Sequence, residues 1–386
     1  MRIATIYPVI GIYRVPVFSC LFHRARDLGH SHEFYADPIN PVDSVELADF
    51  KKINDSTNPQ HFVWRDDLRN HTWGKWLWQT GAIRLSLRTD IDTIIFLGVC
   101  WHISTWIAAI LARLSGKKVL MWTHGFYGTE NFARKLFRSA FLRIAHHVMF
   151  YGNHARNIAI KNGFSSYKTS VIYNSLDVTK QIQIRSLLSN KSENDLRKKI
   201  FKNSDLPLLI FIGRLIPEKK LEILIYAMHK LNTAGTKTNA IIIGTGPEKA
   251  RLVALSEKLG LFEYIHFYGK CYEEVELAPL IAMSDLCVTP GSIGLTCMHS
   301  MIYGTPVITH DDPNTQGPEY EAVIPNKTGL FFRKGDVEDL ALVISKWLHA
   351  HPNKDQVRDH CYAEVEQKWT PNSMTHAINK AIGIEL

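Results

Sequence analysis

Arg214 and Lys219 stand five residues apart in Gly213-Arg214-Leu215-Ile216-Pro217-Glu218-Lys219. Two cations at the start of a helix favour an anion. Free backbone N–H groups and the helix dipole attract negative charge, and the side chains add full positive charge at the same spot. Arginine supplies a bidentate fork and lysine a compact charge. A diphosphate fits such a turn; a merely solvated basic turn is the alternative. Other groups with chemical reach are His124 in Trp122-Thr123-His124-Gly125, His299, and the carboxylates Glu319 and Glu321 in Gln316-Gly317-Pro318-Glu319-Tyr320-Glu321. Gly11 precedes Tyr13-Arg14 at the end of the first apolar run, where a glycine lets backbone approach a ligand. Arg14 reads as a surface salt-bridge partner, with contact to phosphate or acceptor as the other reading.

These groups need a scaffold, and the pattern around them supplies one. Leu208-Leu209-Ile210-Phe211-Ile212 reads as a buried parallel strand before the cationic turn, and Leu221, Ile223, Leu224, Ala227, Met228 and Leu231 mark an amphipathic helix after it. Short apolar runs alternate with helical patterns along the whole chain. In the first half strands are expected at Ile3–Tyr7, His32–Tyr35, Thr93–Leu97, Lys118–Thr123, His147–Tyr151 and Ser170–Ile172. In the second they are expected at Leu208–Ile212, Ala240–Ile243, Ile265–Tyr268, Leu286–Thr289, Pro306–Thr309 and Gly329–Phe331. Strands alternating with helices imply parallel α/β sheets, here two doubly wound domains. The boundaries expected are 1–177, 178–368, and a final helix over 369–386 that packs back on the first domain. Thr370-Pro371 gives that helix its N-cap and first turn. Thr179 to Asp205 reads as a linker followed by a polar helix. Ligands of such sheets bind at the carboxyl ends of strands, so the site is expected in the cleft between the domains.

The chain has 386 residues, 46% of them apolar, which suits two packed cores. Its formal net charge of +8 implies an anionic partner such as a nucleotide or a lipid headgroup. Six scattered cysteines with no CxxC pair fit a reducing cytoplasm and exclude a structural zinc site. The stretch Trp106 to Leu114 is too short to span a bilayer. Nothing resembles an interleaved RNA-binding motif, so no nucleic-acid partner is expected. Gly244-Thr245-Gly246-Pro247 lacks the third glycine of a dinucleotide fingerprint, which argues against a dehydrogenase.

The second half resembles the C-terminal domain of GT-B fold glycosyltransferases of the family 4 retaining type. The resemblance rests on an ordered series. It begins with Ile210 to Arg214 and Lys219, then Ile241-Ile242-Ile243-Gly244-Thr245-Gly246-Pro247, then His266-Phe267-Tyr268-Gly269-Lys270. Ser284 to Pro290, Gly294-Leu295, Gly304-Thr305-Pro306-Val307-Ile308 and Gly329-Leu330-Phe331-Phe332 complete it. The first half matches through Trp122 to Gly125 and Ile172-Tyr173-Asn174-Ser175-Leu176-Asp177. The family's usual two glutamates, eight positions apart, fall on Gly291 and His299, so neither is a carboxylate here.

The resemblance implies transfer of a hexose or deoxyhexose from a nucleoside-diphosphate sugar to a glycan, with retention of configuration. Arg214 and Lys219 stabilise the leaving diphosphate. With two such cations and no DxD pair, no divalent metal or other cofactor is needed; Asp311-Asp312 reads as loop. His124 contacts the donor sugar. Gly213, Gly244, Gly246, Lys270, Gly294 and Leu295 line the donor. His299 can meet a ribose hydroxyl or simply pack locally. Glu319 and Glu321 can supply a missing carboxylate; in an extended chain they point oppositely, and Glu321 fits the family's position better. The basic apolar segment Phe132 to Arg143 either packs with its arginines outward or rests on an anionic membrane, as a lipid-linked acceptor requires. Trp64, Trp73, Trp76 and Trp78 either stack on sugars or fill core. The expected place of action is the cytoplasm, at the inner face of the plasma membrane. An epimerase-type enzyme and a non-catalytic nucleotide-sugar-binding partner subunit are the other readings.

Overall fold

A computed structural model describes residues 1–39, 46–351 and 353–384; the last two residues of the expected 369–386 segment lie outside it. The chain forms two compact units. One holds Met1–Leu176 together with the segment from Thr370 onward, the other Asp177–Trp369.

The strands of the first unit are β1 (Arg2–Ile6), β2 (Ser31–Tyr35), β3 (Trp64–Arg65), β4 (Arg69–Trp73), β5 (Trp76–Thr80), β6 (Thr93–Leu97), β7 (Lys118–Thr123), β8 (His147–Phe150) and β9 (Thr169–Val171). Seven of them make one parallel sheet in the order β3-β2-β1-β6-β7-β8-β9. Successive residues alternate between two cores, one on each face, as the two-residue period of a strand requires. Ile3, Leu120, Trp122, Met149 and Tyr151 belong to one core. Ala4, Val119, Met121, Val148 and Phe150 belong to the other. The first core is closed by the last helix, Pro371–Ile382, through Met374, Ile378 and Ile382. Thr370 caps that helix by accepting from the Ser373 amide (3.0 Å), with Pro371 in its first turn.

The second unit carries β10 (Leu208–Ile212), β11 (Asn239–Ile243), β12 (Ile265–Gly269), β13 (Leu286–Thr289), β14 (Val307–His310) and β15 (Gly329–Phe332). They form a parallel sheet in the order β12-β11-β10-β13-β14-β15. Every residue of β11, β13 and β14 is buried, which is why these strands read as largely apolar runs with polar residues only at an end. In both sheets the chain first builds to one side of a central strand, then crosses to the other. The switch points fall between β1 and β6 and between β10 and β13, where doubly wound sheets leave a crevice at the carboxyl ends.

Some elements differ from expectation. Trp64–Arg65 adds an edge strand, and Arg69–Trp73 with Trp76–Thr80 forms an antiparallel hairpin turning at Gly74-Lys75. The stretch read as a linker before a polar helix holds two helices, Val178–Arg185 and Asn190–Ile200. Trp64 is core, donating its indole N–H to the Ala36 carbonyl (3.1 Å), whereas Trp73 at the hairpin tip is exposed.

Candidate active site

The turn after β10 is held from both sides before any ligand arrives. From β11's side, the Gly213 amide donates to the Ile243 carbonyl (3.0 Å), and Leu215 to Thr245 (2.9 Å). From β13's side, the Gly291 amide donates to the Lys219 carbonyl (3.0 Å). The glycines are explained by this contact. A Cβ on Gly244 would lie 1.8 Å from the Gly213 carbonyl oxygen, and one on Gly246 would lie 2.3 Å from that of Leu215. Gly244 and Gly246, expected to line the donor, let the neighbouring loop press against the cationic turn. Gly291 is equally constrained: its Cβ would meet the Glu218 carbonyl oxygen at 2.2 Å. No side chain fits there, so a glutamate is excluded from that position by packing alone.

Pro217–Lys219 form one turn of 3-10 helix, and Lys220 in the left-handed region starts the helix Leu221–Thr233 with no side-chain cap. The open helix start therefore follows the cations directly. Arg214 is exposed, while Lys219 is half-buried and donates from Nζ to the Ser292 carbonyl (2.7 Å). Burial, and next the Arg214 charge, pull the Lys219 ammonium below its usual pKa; the Glu319 carboxylate opposes both.

The loop that carries this carboxylate is not the extended chain expected. Pro318–Ala322 is 3-10 helix, not extended chain. The turn buries Glu319 (3% exposed) beside the Lys219 turn and leaves Glu321 half-exposed. Glu319, rather than Glu321, is therefore the acidic group whose field reaches Lys219. Its loop is anchored by Gln316, which donates to Thr309 and accepts from the Ile293 amide (both 2.8 Å).

Beyond the loop after β13, Gly294 faces open space where a Cβ would touch nothing within 4 Å. Leu295 sits at the start of the helix Thr296–Ile302, whose Thr296 hydroxyl donates to the Ile212 carbonyl (3.2 Å). Lys270 is exposed, with its ammonium 4.5 Å over the Tyr272 ring. His299, one turn into the helix, is not free for a ribose through Nε2. That nitrogen meets Glu274 Oε1 at 2.8 Å, and since a carboxylate only accepts, Nε2 carries the proton. The same oxygen accepts from Tyr303 (2.6 Å) and Gln181 (3.2 Å). Glu274 lies at the start of the helix Glu274–Ala282, just after the loop containing Lys270. A carboxylate thus does reach position 299, delivered by another helix, and the sequence reading missed it because the partner lies 25 residues upstream. Burial works to raise the Glu274 pKa, but its three donors outweigh that and hold it at about 2. Its pKa is depressed on folding, so it stabilises the fold above the ordinary carboxylate range and that contribution is lost as pH falls toward 2. Glu274→Gln is expected to flatten the acid limb of stability between about pH 5 and pH 2, read by urea unfolding at stepped pH. An unchanged limb would mean that the carboxylate is not held this way.

In the first unit His124 follows β7, and Gly125 after it has φ 72° with a would-be Cβ 2.5 Å from the Phe150 ring, so only glycine fits. The His124 ring lies 4.4 Å from that of Tyr151 and opens to solvent. Surrounding protein, then the charges of Arg14 and Arg138, push the imidazole below its usual pKa, which favours the neutral ring. Arg14 is not a surface residue. It is 3% exposed and donates to the Tyr151 hydroxyl and to Asn174 Oδ1 (2.9 Å). Its guanidinium also stacks near Tyr13, Trp122 and Tyr151. Gly11 is buried and pairs with Leu47 in an antiparallel bridge, so the close approach that it permits is to the chain itself.

Two doubly wound units of this kind define the GT-B architecture, the fold of a large class of glycosyltransferases. HepE of Anabaena in complex with UDP superposes with a TM-score of 0.72 at 17% identity, over 99% of this chain and 100% of that one. The lipopolysaccharide outer core galactosyltransferase WaaB matches at 0.67 and 16%, over all of both chains. Residues 192–363 match the sequence model of the family described as glycosyl transferases group 1. Sulfoquinovosyl transferase of Arabidopsis thaliana is 31% identical over 168 residues, 42% of this chain and 30% of that protein. A GDP-mannose-dependent phosphatidylinositol monomannoside mannosyltransferase of Mycolicibacterium smegmatis is 27% identical over 154 residues, 37% of this chain and 39% of its own. This chain thus spans well under half the length of these curated relatives, and the family match over 192–363 falls within the second unit.

Proposed function

We propose that the chain is a glycosyltransferase moving a hexose or deoxyhexose from a nucleoside-diphosphate sugar to a lipid-linked glycan in surface polysaccharide assembly. It acts at the inner face of the plasma membrane, with retention of configuration and without a metal. The observation that carries this reading is the preorganised turn Gly213–Lys219, braced from both neighbouring strands, with Arg214 and Lys219 beside an uncapped helix start. Breaking the sugar–phosphate bond leaves charge on the diphosphate. Cations and N–H groups already in place stabilise that charge without reorganising. Glu319 offsets the Lys219 charge while the donor is absent. The Glu274–His299 pair offers polar atoms to the nucleoside. His124 keeps the role that the resemblance implies, contact with the donor sugar, and its depressed pKa suits a neutral hydrogen-bonding ring. The comparisons support the substrate class: one relative is named for a GDP-mannose donor and a phosphatidylinositol monomannoside acceptor, and HepE is in complex with UDP.

The test is a melting-temperature panel with UDP, GDP, CMP, dTDP and ADP, followed by incubation of the matching nucleotide sugars with membrane extracts. A ligand at a hundred times its Kd stabilises the native state by about 2.7 kcal/mol, a readily measured shift. One nucleotide should raise the melting temperature and its sugar should pass to a lipid-extractable product. A shift without transfer would favour the non-catalytic binder; no shift with any nucleotide would remove the donor site.

A further inference from the structure

The helix Ile103–Leu114 in the first unit is turned inside out relative to an ordinary surface helix. It buries Ser104, Thr105, Ala108, Ala109 and Ala112. It presents Ile103, Ile107, Ile110 and Leu114 to solvent, the last 78% exposed. Spacings of four, three and four place them on one stripe. Water-facing helices carry the opposite arrangement.

The helix Phe132–Leu142 adds to this apolar face. Its last turn buries Ser139, Phe141 and Leu142, while Phe132 (80%) and Leu136 (57%) at its start are exposed. The two helices lie side by side. Trp106 meets Phe137 with ring centroids 4.9 Å apart, and Arg113 donates to the Ile144 carbonyl (2.7 Å). The β4–β5 hairpin joins them, since the Lys75 ammonium sits 3.8 Å over the Trp101 ring, which stacks on Phe137. Trp73 projects at the hairpin tip.

Charge decides what covers this face. The two helices and the hairpin tip carry Lys75, Arg113, Arg134, Lys135 and Arg138 and no carboxylate; Glu130 lies just before the second helix. Glu130 is already paired with Arg138 (2.7 Å). An apolar stripe among cations with aromatic residues at its edge matches an anionic bilayer surface. A symmetric dimer through the same patch would bring two cationic faces together.

We propose that the face formed by helices 103–114 and 132–142 and the tip of the β4–β5 hairpin docks on an anionic lipid surface. It deepens the reading of a lipid-linked acceptor and rests on it for purpose, yet its geometry and its test are independent. The full chain is sedimented with phosphatidylcholine vesicles with and without phosphatidylglycerol, in the absence of donor and acceptor. Binding is expected only to the anionic vesicles, released by high salt and accompanied by a blue shift of tryptophan fluorescence. Arg134→Ala with Lys135→Ala should weaken it about thirty-fold. Ile107→Ser with Leu114→Ser should weaken it even at low salt, with melting temperatures retained in both variants. Equal binding to neutral vesicles, binding to neither, or a solution dimer split by the Leu114 variant would each overturn the proposal. A failure of glycosyl transfer would leave the vesicle result standing, and the reverse holds too.

Discussion

Lys219→Ala is expected to lower kcat/KM for sugar transfer by about 10²–10³, the usual cost of removing one preorganised group that meets charge developing in a transition state. The nucleotide-induced rise in melting temperature should vanish with it. Without ligand the variant is also destabilised, because Glu319 then stays buried without the ammonium that its charge favours. A second change separates the two effects. Adding Glu319→Gln should recover the stability of the unliganded protein while transfer stays lost, since the carboxylate matters to Lys219 and not to the leaving group. If the double variant recovered activity, or if Lys219→Ala transferred sugar normally, the turn would not be the diphosphate site.

Restoring the family's first glutamate should harm rather than help. Gly291→Glu places a Cβ 2.2 Å from the Glu218 carbonyl oxygen and 2.7 Å from Lys219 Cα, both backbone atoms that cannot swing aside. The expected cost is about 1–3 kcal/mol of stability, as for other overpacked sites. The cationic turn should shift enough to abolish nucleotide binding. Gly294→Ala is the control, because its Cβ would meet open space and the melting temperature should hold. A stable Gly291→Glu protein with retained nucleotide binding would show that the turn is more pliable than its bracing suggests.

How much of this was readable beforehand depended on distance along the chain. Strands buried on both faces announce themselves: Thr93–Leu97, Lys118–Thr123, Leu208–Ile212 and Leu286–Thr289 coincide with their apolar runs, and the α/β class followed. The hairpin over Arg69–Thr80 was missed. Its polar Arg69, Asn70 and His71 hide the alternation, although Gly74-Lys75 between Trp73 and Trp76 is a two-residue turn signal. The Gly213–Lys219 turn was legible because it is contiguous. The reasons for Gly244, Gly246 and Gly291 were not, since each answers to backbone from a different strand. Arg14 was misread because its partners lie 137 and 160 residues away, and arginine is usually exposed. Glu319 and Glu321 point oppositely only in an extended chain, and one turn of 3-10 helix instead buries the first and leaves the second half-exposed.

The last helix, Pro371–Ile382, has a consequence for biosynthesis. Its Met374, Ile378, Ala381 and Ile382 complete a core whose other members lie before Tyr173. A ribosome makes all of Asp177–Trp369 before it makes those four side chains. The unit that starts first is therefore finished last, and until then the helix Val15–Asp27 lacks the helix that packs against it. The intervening unit has every strand of its own sheet in hand by Phe332 and can fold while its neighbour waits.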